Sequence, residues 1–589
     1  MALVKIQDIR FSYIWFFIFE QGLKPLLSYF MKGFLKYIVP VFFHFLVFGQ
    51  PVDFVDISKN AGIDHIYDVY FNFFGGGVTI LDYNNDGHED FFVTGGEREN
   101  SLYQNQGDGT FKNVAKVANL RNEGVISLGA ISADVNKDGF IDLFVTTMAK
   151  KDAIGTSLSS NILYINMGNG TFADQTEKYA LNKPNFSTAA AFGDINADGY
   201  PDLFVSNYFI DFDFNNPFNN LNTLNHFSIT KEMKPGNIEL YLNIEGKRFR
   251  NITHTLEGPL PGYGLGGVFT DFDNDSDLDL YIINDFGEVS HPNQLYENLS
   301  PEIKFINSSK KYKVDYGLKA MGVAIGDSNN DGWLDYHITN IFAGPFALNR
   351  GNGLPFVNLA AHNGSGLNKI SSFNNIEQTI IGWGTFFVDF DNDTDLDLFD
   401  ANGPINPPVF PIPNVLFKNN GRVYEVHSRS GLDDYGIARG AVHFDFDNDG
   451  DQDILVINQT ANTNVDVFGG QVKSKLYKNI TKTDHNWIKV KLLGTESTTR
   501  GLGSRVHLYS DGLVMIREID GGSSHASQNS TIAHFGLGEN KHIDSLTVSW
   551  PGGKKQALYD VEPNQLIEVQ ENVNEPVSIF KRILNYFND

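Results

Sequence analysis

Asp82-Tyr83-Asn84-Asn85-Asp86-Gly87-His88-Glu89-Asp90 places an oxygen-bearing side chain at positions one, three, five and nine, with a glycine at six. The same frame returns at Asp134, Asp194, Asp271, Asp327, Asp389 and Asp445, and successive starts lie between 52 and 77 residues apart. A repeat of that length with β-rich flanks suits one four-stranded sheet per copy. The fold class this predicts is all-β: a seven-bladed β-propeller followed by a small C-terminal β domain.

The flanks repeat as well. Small residues and alternating apolars lead into the first loop, Gly75-Gly76-Gly77-Val78-Thr79-Ile80-Leu81, and Phe91-Phe92-Val93 follows it, so the loop joins two strands. A second phrase comes next: Leu102-Tyr103-Gln104-Asn105, Leu163-Tyr164-Ile165-Asn166, Leu240-Tyr241-Leu242-Asn243, Leu295-Tyr296-Glu297-Asn298, Leu416-Phe417-Lys418-Asn419 and Leu476-Tyr477-Lys478-Asn479, with a degenerate fifth copy at Ala347-Leu348-Asn349. Turns such as Gly107-Asp108-Gly109 then reverse the chain towards an aromatic-led strand. Phe54-Val55-Asp56-Ile57 reads like that last strand before any loop has appeared, whereas the seventh copy ends at Asn479 without one. The first strand is therefore expected to complete the last sheet and remove its free edge.

Oxygens at one, three, five and nine, a backbone carbonyl at seven and a tight bend at six can wrap a hard cation, and six or more oxygens in flexible geometry suit calcium better than magnesium. The candidate ligands in loop one are Asp82, Asn84, Asp86, the carbonyl of His88, and Asp90. Loop two offers Asp134, Asn136, Asp138, Phe140 and Asp142; loop three Asp194, Asn196, Asp198, Tyr200 and Asp202. Loop four offers Asp271, Asp273, Asp275, Asp277 and Asp279; loop five Asp327, Asn329, Asp331, Trp333 and Asp335. Loop six offers Asp389, Asp391, Asp393, Asp395 and Asp397; loop seven Asp445, Asp447, Asp449, Asp451 and Asp453. Up to seven calcium sites follow. Ser276 and Thr394 replace the glycine in loops four and six, which ranks these two sites below the others, and the β-branched Thr394 is expected to make loop six bend differently or bind more weakly.

One such loop would be an ordinary solvated turn; a solvated acidic face has no need of the same spacing seven times. An EF-hand needs a bidentate Glu at position twelve, and that position holds Val93, Val145, Val205, Ile282, Ile338, Asp400 and Val456. Lys and Arg total 45 against 71 acids, a net charge of −26, which argues against nucleic acid as a partner. The absence of cysteine excludes disulfides, thiolate metal sites and thiol nucleophiles.

Met31-Lys32-Gly33-Phe34-Leu35-Lys36, an apolar run from Tyr37 to Phe48 and Gly49-Gln50 have the layout of a secretory signal too short to span a bilayer comfortably. Residues 1–49 are read as a leader with Met31 as its candidate start and a signal anchor or interfacial helix as the alternative, 50–482 as the propeller, 483–572 as the β domain and 573–589 as a tail, giving a secreted, periplasmic or cell-surface protein with no stable membrane span after cleavage. The partner is expected to be a protein or glycan; the aromatic- and Asn-rich insertion between loops three and four around Asp211-Phe212-Asp213-Phe214 reads either as its binding site or as a long hairpin whose aromatics pack on their own blade.

Beyond Asn479 a new set of strands begins, Trp487 to Leu492, Arg505 to Tyr509, Ser545 to Trp550 and Leu566 to Val569. His525, His534, Ser523 and Asp520 carry groups that a hydrolase uses, but no G-x-S-x-G elbow or H-E-x-x-H helix frames them. They read as loop and strand residues, and the chain as a non-enzyme.

The seven loops and their flanks resemble the FG-GAP and VCBS repeats of integrin α-chains and secreted bacterial proteins. Gly501-Leu502-Gly503-Ser504, Ser527-Gln528, His534-Phe535-Gly536-Leu537-Gly538 and Trp550-Pro551-Gly552-Gly553 resemble the ASPIC/UnbV domain. Together they make the chain similar to the cartilage acidic protein and UnbV group. The resemblance implies calcium loops on the propeller face away from the usual partner-binding surface. Two functions stay open: an exported calcium-binding interaction or adhesion module, and an enzyme or biosynthetic accessory protein of the UnbV type.

Overall fold

In the computed structural model, position one of every Asp-rich loop directly follows the first strand of a sheet and position nine opens the second. The structure describes residues 52–572 apart from 70–74, 122–123, 151–157, 211–233, 259–260, 372–376, 405–411, 422, 428–429 and 461–471. The leader, the insertion after Asp211 and the tail therefore lie outside the described residues.

The first sheet runs Val78–Leu81, Asp90–Val93, Ser101–Asn105 and Phe111–Asn113, with each strand antiparallel to the next. Five further copies keep this four-strand order, and the copy around loop four gains two short outer strands. The remaining sheet takes Ala438–Phe444, Asp453–Asn458 and Lys475–Asn479 from the end of the repeats and Phe54–Asp56 from the beginning, with Phe54 paired to Asn479. The expected closure by the first strand is thus present. First strands of successive sheets are neighbours all the way round, and Val78–Leu81 beside Ala438–Phe444 closes the ring. The repeats form a β-propeller.

A clamp joins the sheets. The Asn that ends each third strand, or in the fifth copy directly follows it, donates its side-chain amide to the backbone carbonyl at loop position two of the preceding sheet: Asn166 to Tyr83, Asn243 to Val135, Asn298 to Ile195, Asn349 to Phe272, Asn419 to Ser328, Asn479 to Phe390 and Asn105 to Phe446, all at 2.8–3.0 Å. These asparagines are buried, so each bond also satisfies a carbonyl that no water reaches. The fifth copy, degenerate at Ala347-Leu348, keeps Asn349 and its bond.

The C-terminal segment forms two sheets. Asn486–Leu493 lies between Ala533–Gly538 and Gln565–Gln570, and Arg505–Ser510 lies between Leu513–Glu518 and Ser545–Ser549, with Lys555–Leu558 outermost. Its apolar residues, among them Ile488, Val506 and Trp550, share one buried cluster with Ile131, Phe144, Phe192 and Leu203 of the propeller. Residues 520–530 enter the centre of the ring: the Phe192 N–H donates to the Gly521 carbonyl, Gln528 N–H to Val78, Ala130 N–H to Ala526, and Ser524 N–H to Val323. Such backbone-to-backbone approach explains the glycines of the first strands, since a Cβ on Gly77 would lie 2.0 Å from the Ala526 carbonyl oxygen.

Candidate metal centre

All seven loops fold alike. Position-one carboxylates accept the N–H of position five on Oδ1 and that of position six on Oδ2, as in Asp134 with Asp138 at 3.1 Å and Gly139 at 2.8 Å. Position five accepts the N–H of position seven, so the chain carrying the expected carbonyl ligands is held by Asp86, Asp138, Asp198, Asp275, Asp331, Asp393 and Asp449. Two residues per loop are left-handed. Position six is one, and position four is the other, at Asn85, Lys137, Ala197, Asn274, Asn330, Asn392 and Asn448 with φ of 55–63°. Ser276 and Thr394 reach φ of 76° and 86° and donate their N–H to Asp271 and Asp389 just as the glycines do. The expected difference in bending is not found: the position-one carboxylate imposes the turn, and the β-branched Thr394 carries its strain, of order 1–3 kcal/mol.

Position nine is also bound into the fold. Asp90, Asp142, Asp202, Asp279, Asp335, Asp397 and Asp453 are at most 1% exposed, and in each one oxygen accepts the N–H of position two and the other the N–H of the clamp Asn, as in Asp142 with Val135 and Asn166. Burial dominates their acidity: it pushes Asp90 up to about 8 and raises the other six well above the carboxylate range. Burial likewise pushes position one up, Asp194 to about 7 and Asp389 to about 8. Buried carboxylates brought this close need protons, cationic partners or a metal.

Oxygens bound to one calcium at about 2.4 Å can be no more than about 4.8 Å apart. Asp271, Asp273 and Asp279 meet that limit, as do Asp389, Asp391 and Asp393, and Asp445, Asp447 and Asp453. In these three loops Asp273 Oδ1, Asp391 Oδ1 and Asp447 Oδ1 are buried without a hydrogen-bond partner, so the donor set fits a divalent cation. Loops one, two, three and five have Asn at position three, whose amide donates to position five, for instance Asn84 to Asp86 at 2.7 Å.

The C-terminal domain covers this face and brings cations to it. Lys489 Nζ is 2.6 Å from Asp445 Oδ2, with both side chains at most 2% exposed. Arg505 pairs with Glu518 at 2.7 Å and also reaches Asp271 and Asn274. Thr499 donates to Asp134 at 2.7 Å, and Arg500 to Asn85 at 2.9 Å. Arg517 attracts both Asp327 and Asp389. The sequence marked none of these as partners of the loops, because nothing local shows which face a following domain will cover.

Ser523 donates to Asp520 at 3.2 Å, but the His525 ring nitrogen lies 2.6 Å from the Met321 carbonyl, with its ring edge-on to Trp383, and His534 lies 3.0 Å from the Gly450 carbonyl. Burial lowers His525 to about 4 and His534 to about 3. Both histidines are buried against backbone carbonyls, His525 among residues 520–530 and His534 where the C-terminal domain meets loop seven.

The FG-GAP-like repeat family matches residues 82–145, 149–205 and 271–338, and the family ASPIC and UnbV matches 494–576. Cartilage acidic protein 1 from Xenopus tropicalis is 27% identical over 326 residues, covering 52% of this chain and 45% of that protein. The Homo sapiens protein is 26% identical over 303 residues, covering 49% of this chain and 42% of its own length. The chain thus spans less than half the length of the curated relatives it matches. Among solved structures, an Agrocybe aegerita lectin recognising non-reducing terminal N-acetylglucosamine is similar at TM-score 0.35 and 14% identity, covering 62% of this chain and 81% of its own. The BP39L lectin of Burkholderia pseudomallei is similar at TM-score 0.35 and 7% identity, covering 66% and 93%.

Proposed function

We propose, for a chain that carries FG-GAP-like repeats followed by an ASPIC and UnbV domain, that it is an exported calcium-binding propeller acting as a non-enzymatic module that holds a protein or glycan. One observation carries the reading: all seven loops hold their position-one and position-five carboxylates in the same backbone frame, and in loops four, six and seven three acids come within reach of one cation and leave a buried oxygen with no hydrogen-bond partner. When bound, calcium supplies charge neutralisation and a rigid node between the first two strands of a sheet. The protein's own part is to hold the carboxylates in place through the N–H groups of positions five, six and seven.

With the loop face covered by the C-terminal domain, the opposite face is where a partner would be met, in line with what the resemblance to integrin-type repeats implies. Among the described residues no helix is long and apolar enough to cross a membrane. Asp520, Ser523, His525 and His534 are engaged in packing and backbone contacts, which favours the binding module over the UnbV-type enzyme or accessory protein. The test is capture from the producing cells by immobilised full chain, with calcium and with chelator. A protein or glycan retained only with calcium supports the reading; turnover of a small substrate with no retained partner would replace it with the second.

A further inference from the structure

Six of the seven loops solve one electrostatic problem in two ways, and loop four does not solve it. In loops one, two, three and five the position-three amide donates to Oδ2 of position five, at 2.7–3.0 Å, so no bare pair of carboxylates forms. Loops four, six and seven have Asp273, Asp391 and Asp447 there and lack the amide. In two of the three the missing donor returns from the third strand. Lys418 Nζ contacts Asp391 Oδ2 and lies 3.4 Å from Asp393 Oδ2, and Lys478 Nζ contacts Asp447 Oδ2 and lies 3.1 Å from Asp449 Oδ2. Each lysine directly precedes the clamp asparagine of its own sheet, Asn419 or Asn479, which fixes the register at which it meets the loop.

Loop four has an acid at that register. Glu297 is turned to Ser308 and Lys311, and Asp273 Oδ1 and Asp277 Oδ1 are buried without a partner. Among the described residues the cation that meets this loop is Arg505, which belongs to the C-terminal domain and lies at position one, 3.8 Å from Asp271 Oδ2.

We propose that Lys418 and Lys478 are resident counter-ions that hold loops six and seven in shape when no divalent cation is bound, and that loop four, with Asp273 at position three and Glu297 in place of the lysine, is the loop whose shape depends on the cation. The ammonium supplies the donor that the Asn amide supplies in the other loops, bridging positions three and five, and it leaves Asp391 Oδ1 and Asp447 Oδ1 buried without a hydrogen-bond partner. The cation-dependence of loop four rests on the calcium reading above; the role of the lysines does not.

Hydrogen exchange of the full chain, followed peptide by peptide, separates these parts. In chelator, loop four should exchange about tenfold or more faster than loops six and seven, and calcium should slow it. Lys418→Met should bring loop six to the chelated rate of loop four, while Lys418→Met with Asp391→Asn, which recreates the amide of loops one, two, three and five, should restore protection. Lys478→Met and Asp447→Asn should act likewise on loop seven. The lysine role is overturned if Lys418→Met leaves loop six unchanged in chelator or if the added Asp391→Asn fails to restore it. Loop four protected in chelator overturns its cation-dependence, and a chain in which calcium slows no loop overturns the calcium reading together with that dependence, while the lysine comparison, made in chelator, still stands or falls alone.

Discussion

Asp134 shows what a single carboxylate does in this fold: it accepts two loop N–H groups and takes a hydroxyl bond from Thr499, at position one of a proposed calcium loop. Asp134→Ala should lower the calcium stoichiometry of the full chain by about one, read by equilibrium dialysis with elemental analysis. Asn166 makes no such contact, and its amide joins two sheets. Asn166→Ala leaves the buried Tyr83 carbonyl without its donor and should cost about 1–3 kcal/mol in denaturant unfolding without changing the metal count. Equal loss of metal in both variants would merge the two roles. The sequence displayed the loop asparagines and aspartates plainly, because their spacing is the repeat itself. It also displayed Asn166 within a recurring phrase, but the partner of that residue sits 83 positions away in another sheet, and spacing alone carries no such pairing.

A loop is also a cluster of groups whose charge state follows pH. Burial pushes Asp90 to about 8, Asp194 to about 7 and Asp389 to about 8. A carboxyl raised in the folded chain is held neutral there, so the fold loses stability as pH climbs from the ordinary carboxylate range to the raised value. The buried histidines His65 and His443, lowered to about 4 by burial, are neutral in the folded chain and only half protonated in the unfolded one at about pH 6.5, so the stability each still gains above that pH is smaller than the stability each raised carboxyl loses. In chelator the melting temperature should therefore fall between pH 6.5 and 8, while the increment given by calcium, which requires the ionised carboxylates, should grow over the same interval. Differential scanning calorimetry at both ends of that window checks the sign; a chelated chain that gains stability towards pH 8 would refute it. Within the C-terminal domain the sequence yielded Trp487 to Leu492, Arg505 to Tyr509, Ser545 to Trp550 and Leu566 to Val569 as strands. It did not yield Leu513–Glu518 or Lys555–Leu558, whose charged and half-buried residues give no clean alternation.

The acidity of the chain and its domain order belong together once the C-terminal domain is seen on the loop face. Lys489, Arg505 and Arg517 enter a face lined by raised carboxylates, and residues 520–530 fill the ring from the same side, so propeller and C-terminal domain share one buried core. A boundary near residue 483 is visible in the sequence as the end of the repeat, but independence of the two parts does not follow from it. Lys489→Met strands Asp445 in a buried site and should cost about 3–5 kcal/mol in chelator. The decisive measurement is calorimetric unfolding of the full chain in saturating calcium and again in excess chelator, with bound metal counted by elemental analysis. Up to seven ions should be bound in calcium, and propeller and C-terminal domain should unfold in one transition that moves to lower temperature when the ions are removed. Identical transitions in both conditions, with no metal bound in either, would contradict a calcium-stabilised propeller.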